Sequence, residues 1–552
     1  MTKATIAIYG IKDLSSEDRP VLVHDHNICV MSEGKIIQYL HLERYTGRKH
    51  DNRLDLFIEE LVEEGIIHLP EKFDFVCVNS FLGNGFISKN GKIRFERTDF
   101  HSGLATISNG NGKIKIGRSE ISEHRFFHCS HELAHVGTCL PFFGSFRENS
   151  LLVHFDGGAG NGNFSAFHFI DGTIIEIESG WHMSQLSKLF NDNALVFAIL
   201  NSKPSDHCSV PGKFMGYAAM GLSSEEILKW LKENDFFANH WDKESKILQS
   251  ANNTFGYLFD RIDNTSVFWQ NVAASIQGYF TQRVLAKLQS LQEKSNADFL
   301  YYSGGCALNI VTNSKIIASG IFLDVFIPPC CNDSGLSIGA AALLEWQKGN
   351  KILLHSPYLN NVGIMSIENT IRQEAIHQTA EILLKNGIVG ICNAAAEAGP
   401  RALGNRSLIA LANNKTLAQR LSMDIKKREW YRPVAPIMLN SIALKIIENT
   451  GHHLSQFMLL DFQIKKEFAK DFEGVIHANN TARIQTINSE RDNPFMFSLL
   501  SYLFEKHGIK ALINTSFNAN GEPIVHTPDM AILAAKSMKI DAIIIDNNFR
   551  KL

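Results

Sequence analysis

Residues 397–409 read EAGPRALGNRSLI, placing Arg401 and Arg406 five positions apart in a segment opened by Gly399-Pro400 and broken again by Gly404. The apolar run before it, Gly387 to Cys392, predicts a strand, so the arginines follow a strand end. Arginine offers a planar, permanently charged fork that matches phosphate or carboxylate, and glycine lets a backbone approach a ligand closely. Asn405 and Ser407 add polar groups beside both arginines. A helix N-terminus with solvated arginines is the plain alternative. The density of Gly, Pro, Asn and Ser around the pair favours an oxyanion-binding loop.

Outward from that segment, the chain is 552 residues long, which predicts two or three domains. With 45% apolar and 20% charged residues it has the composition of a soluble globular protein. The net charge of −3 argues against general nucleic-acid binding. No signal peptide is read in MTKATIAIYG, and no apolar run is long enough to span a membrane. The nine cysteines form no C-x-x-C pair and read as reduced thiols of a cytoplasmic protein.

Short apolar strands alternate with helical patterns, which predicts an α/β architecture. Strands are expected at Ala4–Tyr9, Ile28–Met31, Phe75–Val78, Leu151–Phe155, Phe299–Tyr302 and Val325–Ile327. Helices are expected at Ile227–Lys232, Val267–Leu291 and Leu336–Trp346. The linker-like segment 347–361 sets the main boundary near residue 355, giving domains 1–355 and 356–552, the second opening with a helix Ile367–Lys385. An internal duplication of the first domain stays open at this point.

In the first domain, His131 and His135 stand four apart in SHELAHVG, so on a helix both imidazoles share one face and can hold one metal ion. With Glu132 the string also fits the H-E-x-x-H zinc-peptidase signature, although Pro141 and Gly144 end such a helix early. Asp156-Gly157-Gly158 follows a strand, a place where nucleotide phosphates or metals are handled. Ser303-Gly304-Gly305 repeats the theme before a helix near Ala307. Asp333 sits at a helix start, where it either caps the helix or joins the histidines as a ligand. Lys213 lies among glycines in PGKFMGYAAMG, and His24-Asp25-His26 precedes a basic cluster of Arg44, Arg48, Lys49 and His50 that reads as a solvated face.

In the second domain, KKREWYRPVAP brings together Lys426, Arg428 and Arg432. HANNTARIQT puts Arg483 at the start of an expected strand, Arg483–Ile487, and INTSFNANGEPIV supplies Asn514, Thr515, Ser516 and Asn518 after the apolar run Ile509–Ile513. Most of these residues stand at element ends beside Gly, Pro or Asn, where loops carry function.

The ordered set GPRALGNRS, K-x-R-E-x-x-R-P-x-A-P, T-A-R-I-Q-T and N-T-S-F-N-x-x-G-E-P-I-V resembles the O-carbamoyltransferases of the nodulation-protein and antibiotic-tailoring type. The H-x-x-x-H pair, the Asp-Gly-Gly turn, GKFMGYAAMG, SGGCALN and NDSGLSIGAA agree, so the resemblance runs from about His24 to Asn547. It implies an N-terminal domain of the actin-like ATPase superfamily, a duplicated RNase-H-like fold. A smaller α/β domain resembling the threonylcarbamoyl-adenylate synthase fold would follow. It further implies a cytoplasmic, ATP-dependent enzyme that converts carbamoyl phosphate to carbamoyl adenylate and passes the carbamoyl group to a small-molecule hydroxyl acceptor. No nucleic acid or membrane is involved, and a homodimer is compatible.

By that resemblance Arg401, Arg406, Lys426, Arg483, Asn514 and Ser516 contact carbamoyl phosphate, with Arg428 and Arg432 beside them. His131, His135, Asp156 and Asp333 hold Fe(II), with Zn or Mn as alternatives. Asp156, Gly157, Gly158, Lys213, Gly304, Gly305 and Asn309 bind the ATP-derived adenylate, with Mg as an option, and His24 does acid–base work. The chain departs from the family pattern at Ser130, Ala398, Asn479, Asn163 and Phe164. A tRNA threonylcarbamoyl-transfer enzyme and, more remotely, a metallopeptidase are the competing readings. The absence of a basic excess and the fusion of both domains argue against the first, and the second explains nothing after residue 150.

Overall fold

The computed structural model describes residues 4–10, 23–79, 85–97, 103–115, 125–237, 244–364 and 371–552. Three principal sheets organise them. The first runs, edge to edge, Lys35–His41, Asn27–Ser32, Ala4–Tyr9, Phe73–Val78 and Arg125–Cys129, then continues antiparallel through Ser108–Ile114, Ile93–Arg97 and Gly85–Ile87. The second runs Thr173–Gly180, Gly162–Ile170, Ser150–Ala159, Phe299–Ser303 and Asp324–Phe326.

The two sheets share one plan. In each, the first three strands in sequence form an antiparallel meander. Two later strands then add in parallel, one pairing with the first strand and the next lying outside it. This repetition is the internal duplication that the sequence left open, and it is the layout of the actin-like architecture. All six strands expected here are present, five of them within two residues of their expected bounds, while the one expected at Leu151–Phe155 runs Ser150–Ala159. Central strands such as Ala4–Tyr9 and Phe73–Val78 are buried along their whole length, which explains why they read as continuous apolar runs.

Between the sheets lie two helices that cross in close contact, His131–Gly137 and Leu336–Gln347. Glycine makes the crossing. A Cβ at Gly339 would stand 1.9 Å from the Ala134 carbonyl oxygen, and one at Gly137 would stand 2.5 Å from that of Gly339. The first helix carries His131 and His135, and Asp333 lies in the turn that leads into the second, so this crossing positions the motif.

The third sheet lies wholly beyond residue 388. Its order is Gln485–Ile487, Ala435–Leu439, Leu512–Ser516, Arg406–Leu411, Val389–Cys392, Ala542–Ile545 and Asn548–Lys551, of mixed direction, with helices Gln373–Leu384, Pro494–His507 and Pro528–Met538. The expected boundary near 355 falls in the irregular stretch after Gln347, and the expected helix start at Ile367 lies outside the described residues. One local expectation shifts: the strand near Arg483 begins at Gln485; the apolar run Ile509–Ile513 leads into a strand at Leu512–Ser516. Arg406 opens a strand, which removes the helix N-terminus reading of the opening segment. Ser407 pairs with Ser516, and Asn514 with Ala435, so three motif-bearing segments converge at one end of the sheet. Apolar packing is continuous from the second sheet into the third, with Tyr217 and Tyr431 in edge contact at 5.1 Å.

Candidate active site

Ser130 caps the helix His131–Gly137 by accepting the Leu133 N–H, and the helical period then stacks His131 and His135 on one face. The strand Ser150–Ala159 presents His154 and Asp156, two apart and so on the same face. Asp333 begins the turn that leads into Leu336–Gln347, held by the Tyr9 hydroxyl, which donates to its Oδ2 at 3.0 Å. Asn27 donates to the Asp333 carbonyl and accepts from the Ser337 N–H.

These side chains converge in the interior. Asp156 Oδ2 lies 3.0 Å from His131 Nε2, 3.2 Å from His135 Nε2 and 3.0 Å from His154 Nε2. Asp333 Oδ1 lies 3.5 Å from His135 Nε2 and 4.0 Å from His131 Nε2. The two imidazole Nε2 atoms of His131 and His135 stand 3.0 Å apart. Ligand atoms about 2.1 Å from a common ion are separated by about this distance. Three buried imidazoles with two carboxylates therefore fit a divalent cation in both donor chemistry and spacing. Burial alone would raise the Asp156 carboxyl, but the imidazoles of His154, His131 and His135 hold it well below the usual carboxylate range. Burial disfavours the charged form of His135, yet Asp156 and Asp333 push it up to about 9. Both shifts mark a place that demands positive charge.

His154 was missed in the sequence, although its signal was there: it is i−2 to Asp156 on the same strand. Glu132 speaks against a peptidase. It is buried, and its carboxylate accepts the N–H groups of Asn161 and Gly162, binding the glycine turn rather than facing the centre. Asp156 Oδ1 accepts the Gly158 N–H at 2.7 Å, leaving Oδ2 for the histidines. Gly304 has φ +102, and a Cβ there would lie 2.2 Å from the Phe155 carbonyl oxygen, while Gly305 packs beside Asp156. Asp156 and the glycine turns at 157–158 and 304–305 are thus brought together.

Asn309 is placed differently from expectation. It caps the helix Ile310–Ser319 and exchanges hydrogen bonds with Gln277, so its amide is already occupied. Lys213 forms an ion pair with Glu429 at 2.9 Å, tying the first half of the chain to the second.

A cavity of about 690 Å³ opens between the halves. Arg401, Lys426, Arg428, Arg432, Arg483, Asn514 and Ser516 line it from the third-sheet side, and Asp25, Arg44, Lys49 and His50 from the other. Burial and neighbouring cations push Arg401 down to about 10 and Arg428 to about 9. The same causes hold Lys426 and Arg483 well below their ordinary values. A guanidinium keeps its proton, so these directions reflect buried positive charge first and neighbouring cations second, a combination that a bound anion relieves. The Nε groups of Arg401 and Arg483 have no partner within the described residues. Lys426 donates to Ser516 and Asn518, anchoring the loop that carries them.

Arg406 departs from its expected role. Its guanidinium donates to the carbonyls of His526, Asn393, Asn405 and Ala394, and it does not line the cavity. It braces the loop from inside. Glu397 does the same from the other end, accepting the N–H groups of Leu403, Asn405 and Arg406. Gly399, expected to approach a ligand, instead approaches backbone: at φ +100, a Cβ there would meet the Pro329 carbonyl at 2.2 Å. Arg44, read as part of a solvated face, is buried and donates to the Gly399 carbonyl. The first domain thus holds the turn that presents Arg401.

Asp25, His41, His50 and Cys208, the residues around His24, border the same cavity. Asp25, with φ +59, accepts from His24 Nδ1 at 2.9 Å, His50 Nδ1 at 3.1 Å and His41 Nε2 at 3.2 Å. Burial disfavours charge on His24, but Asp25 raises its proton affinity well above the usual value.

Residues 114–342 match the carbamoyltransferase N-terminus family, and residues 380–551 match the carbamoyltransferase C-terminus family. The chain belongs to the carbamoyltransferases. It is an enzyme of that class, and its mixed α/β fold agrees with the expectation. It is similar to a nodulation protein U of Bradyrhizobium diazoefficiens, 32% identical over 538 residues and 91% of each chain. It is also similar to an uncharacterized protein of Methanocaldococcus jannaschii, 31% identical over 564 residues and 98% of each chain. A solved structure of full-length HypF, in a phosphate- and nucleotide-bound form, matches 64% of this carbamoyltransferase and 56% of its own length at 12% identity, with a TM-score of 0.31. No helix among the described residues is long and apolar enough to cross a membrane.

Proposed function

We propose that this carbamoyltransferase moves the carbamoyl group of carbamoyl phosphate, through carbamoyl adenylate formed at the expense of ATP, onto a hydroxyl of a small-molecule acceptor. The observation that carries the reading is the shared cavity. Its third-sheet wall gathers Arg401, Lys426, Arg428, Arg432 and Arg483, while Asp25 and His50 form its opposite rim. So much clustered positive charge is unfavourable until a compact dianion neutralises it.

Carbamoyl phosphate meets that need. Arg401 and Arg483, with unpartnered Nε groups, bind phosphoryl oxygens, and Asn514, whose Oδ1 has no partner among the described residues, accepts from the carbamoyl amino group. Water releases inorganic phosphate and leaves carbamate. A carbamate oxygen attacks the α-phosphorus of ATP, pyrophosphate departs, and the guanidinium groups stabilise the charge on the phosphoryl oxygens. The Asp156 turn and the Gly304-Gly305 turn support the adenylate on the first-domain side. A divalent ion held by His131, His135, Asp156 and Asp333, with His154 adjoining, would supply Lewis-acid polarisation; Fe(II) is the expected ion, and Zn or Mn suits the same donors. The acceptor hydroxyl attacks the carbamoyl carbon and AMP leaves. His24, its Nδ1 held by Asp25, takes the hydroxyl proton on Nε2.

Calorimetric titration with carbamoyl phosphate tests the anion site. One site is expected, weakened about tenfold to a hundredfold in Arg401→Ala, the loss of one charge-assisted contact. Equal affinity in wild type and variant contradicts the assignment.

A further inference from the structure

We propose that His24, His50 and Cys208 form a second metal site, for a thiophilic divalent cation of the Zn²⁺ class, on the rim of the shared cavity. The three residues come from separate stretches: the loop before Asn27–Ser32, the turn before the helix Leu54–Glu63, and the segment after the turn Pro204–Asp206. One ligand atom from each lies within 4.8 Å of the others.

The rings are oriented as ligands. Asp25, itself buried, lies within hydrogen-bond distance of Nδ1 of both His24 and His50, which orients the two rings and leaves Nε2 as the atom each can offer a cation. A carboxylate behind a histidine is the usual support of a metal-binding imidazole. Cys208 completes a nitrogen and sulfur set. Its Sγ stands with ligand atoms of His24 and His50, and a cation takes the thiol as thiolate, releasing its proton. Cys208 and His50 both line the cavity, so three protein ligands leave one position open to it.

The donor set also separates this site from the first centre. His131, His135, His154 and Asp156 offer nitrogen and oxygen only, whereas sulfur favours Zn²⁺ and other soft ions. Occupancy engages His24 Nε2, so a cation here withholds the proton acceptor of the transfer step. That consequence, unlike the site, rests on the proposed function.

Co²⁺ titration of metal-free protein, followed by equilibrium dialysis and near-ultraviolet absorption, tests the site. Thiolate-to-Co²⁺ charge transfer reports it alone, because no other His, Asp and Glu grouping found among the described residues contains a cysteine. Two equivalents are expected, one of them raising the charge-transfer band. Cys208→Ser should lose the band and keep the other equivalent, and His50→Gln should weaken the band-forming step at least tenfold. If Cys208→Ser does not fold, His50→Gln decides. A single equivalent without a band in the wild type, or a band unchanged in a folded Cys208→Ser or His50→Gln protein, overturns the proposal. A band in a protein that forms no carbamoyl adenylate would leave the site standing and remove the catalytic reading.

Discussion

Arg401 and Arg406 stand five residues apart and have opposite duties. Arg406 is buried with its guanidinium spent on backbone carbonyls, whereas Arg401 faces other cations with its Nε unpartnered. Their alanine variants should therefore diverge. Arg406→Ala leaves several buried carbonyls without donors and should destabilise the protein by about 3 kcal/mol or more, read as a lower melting temperature. Arg401→Ala removes repulsion and should leave the melting temperature unchanged or higher while carbamoyl-phosphate binding falls. A drop for Arg401→Ala as large as that for Arg406→Ala would contradict the distinction. Cys208 belongs to the same scale. Seven of the nine cysteines are buried, and burial pushes the partly open Cys306 upward. In metal-free protein Cys208 should be the first thiol alkylated by iodoacetamide, with a rate midpoint near pH 6. A midpoint at the ordinary thiol value of about 8.5 would argue against the imidazole neighbours as its cause.

At the scale of elements, one helix crossing sets the metal centre. Gly339→Ala would drive a methyl into the Ala134 carbonyl, so the helix bearing His131 and His135 must move. About 2–4 kcal/mol of lost stability and a reduced metal content are expected together, measured by melting and elemental analysis. Full metal content would show that the crossing does not set the ligands. The same scale shows what the sequence could tell. Buried central strands, the short amphipathic helix Glu225–Glu233 and the buried helix Leu336–Gln347 announce themselves by pattern, and His131, His135 and Asp333 by spacing and position. His154 escaped notice because a lone histidine in an apolar strand carries no motif, and only its period-two relation to Asp156 betrays it. Arg406 and Gly399 misled for a related reason. The residue types that bind anions and approach ligands also brace loops, and only tertiary placement distinguishes the two uses. Arg44 reads as a surface charge until Gly399, far along the chain, arrives to accept its hydrogen bond.

For the whole molecule, the site belongs to neither half alone. The duplicated sheets deliver the histidine and aspartate centre and the His24–Asp25 pair, the third sheet delivers the cationic wall, and Arg44 and Lys213 tie the two together. Carbamoyl phosphate should therefore raise the melting temperature of the intact protein, since an anion that binds only the folded cavity stabilises it by about 2.7 kcal/mol at a hundred times its Kd. High salt should reduce that shift by screening the same cations. The central claim is that ATP is activated against carbamate in this cavity. Exchange of labelled pyrophosphate into ATP, with Fe(II) supplied and no acceptor present, measures that step directly. The account predicts exchange that requires carbamoyl phosphate and is abolished in Arg483→Ala. Absence of exchange in the wild-type protein, or exchange at the same rate without carbamoyl phosphate, would contradict it.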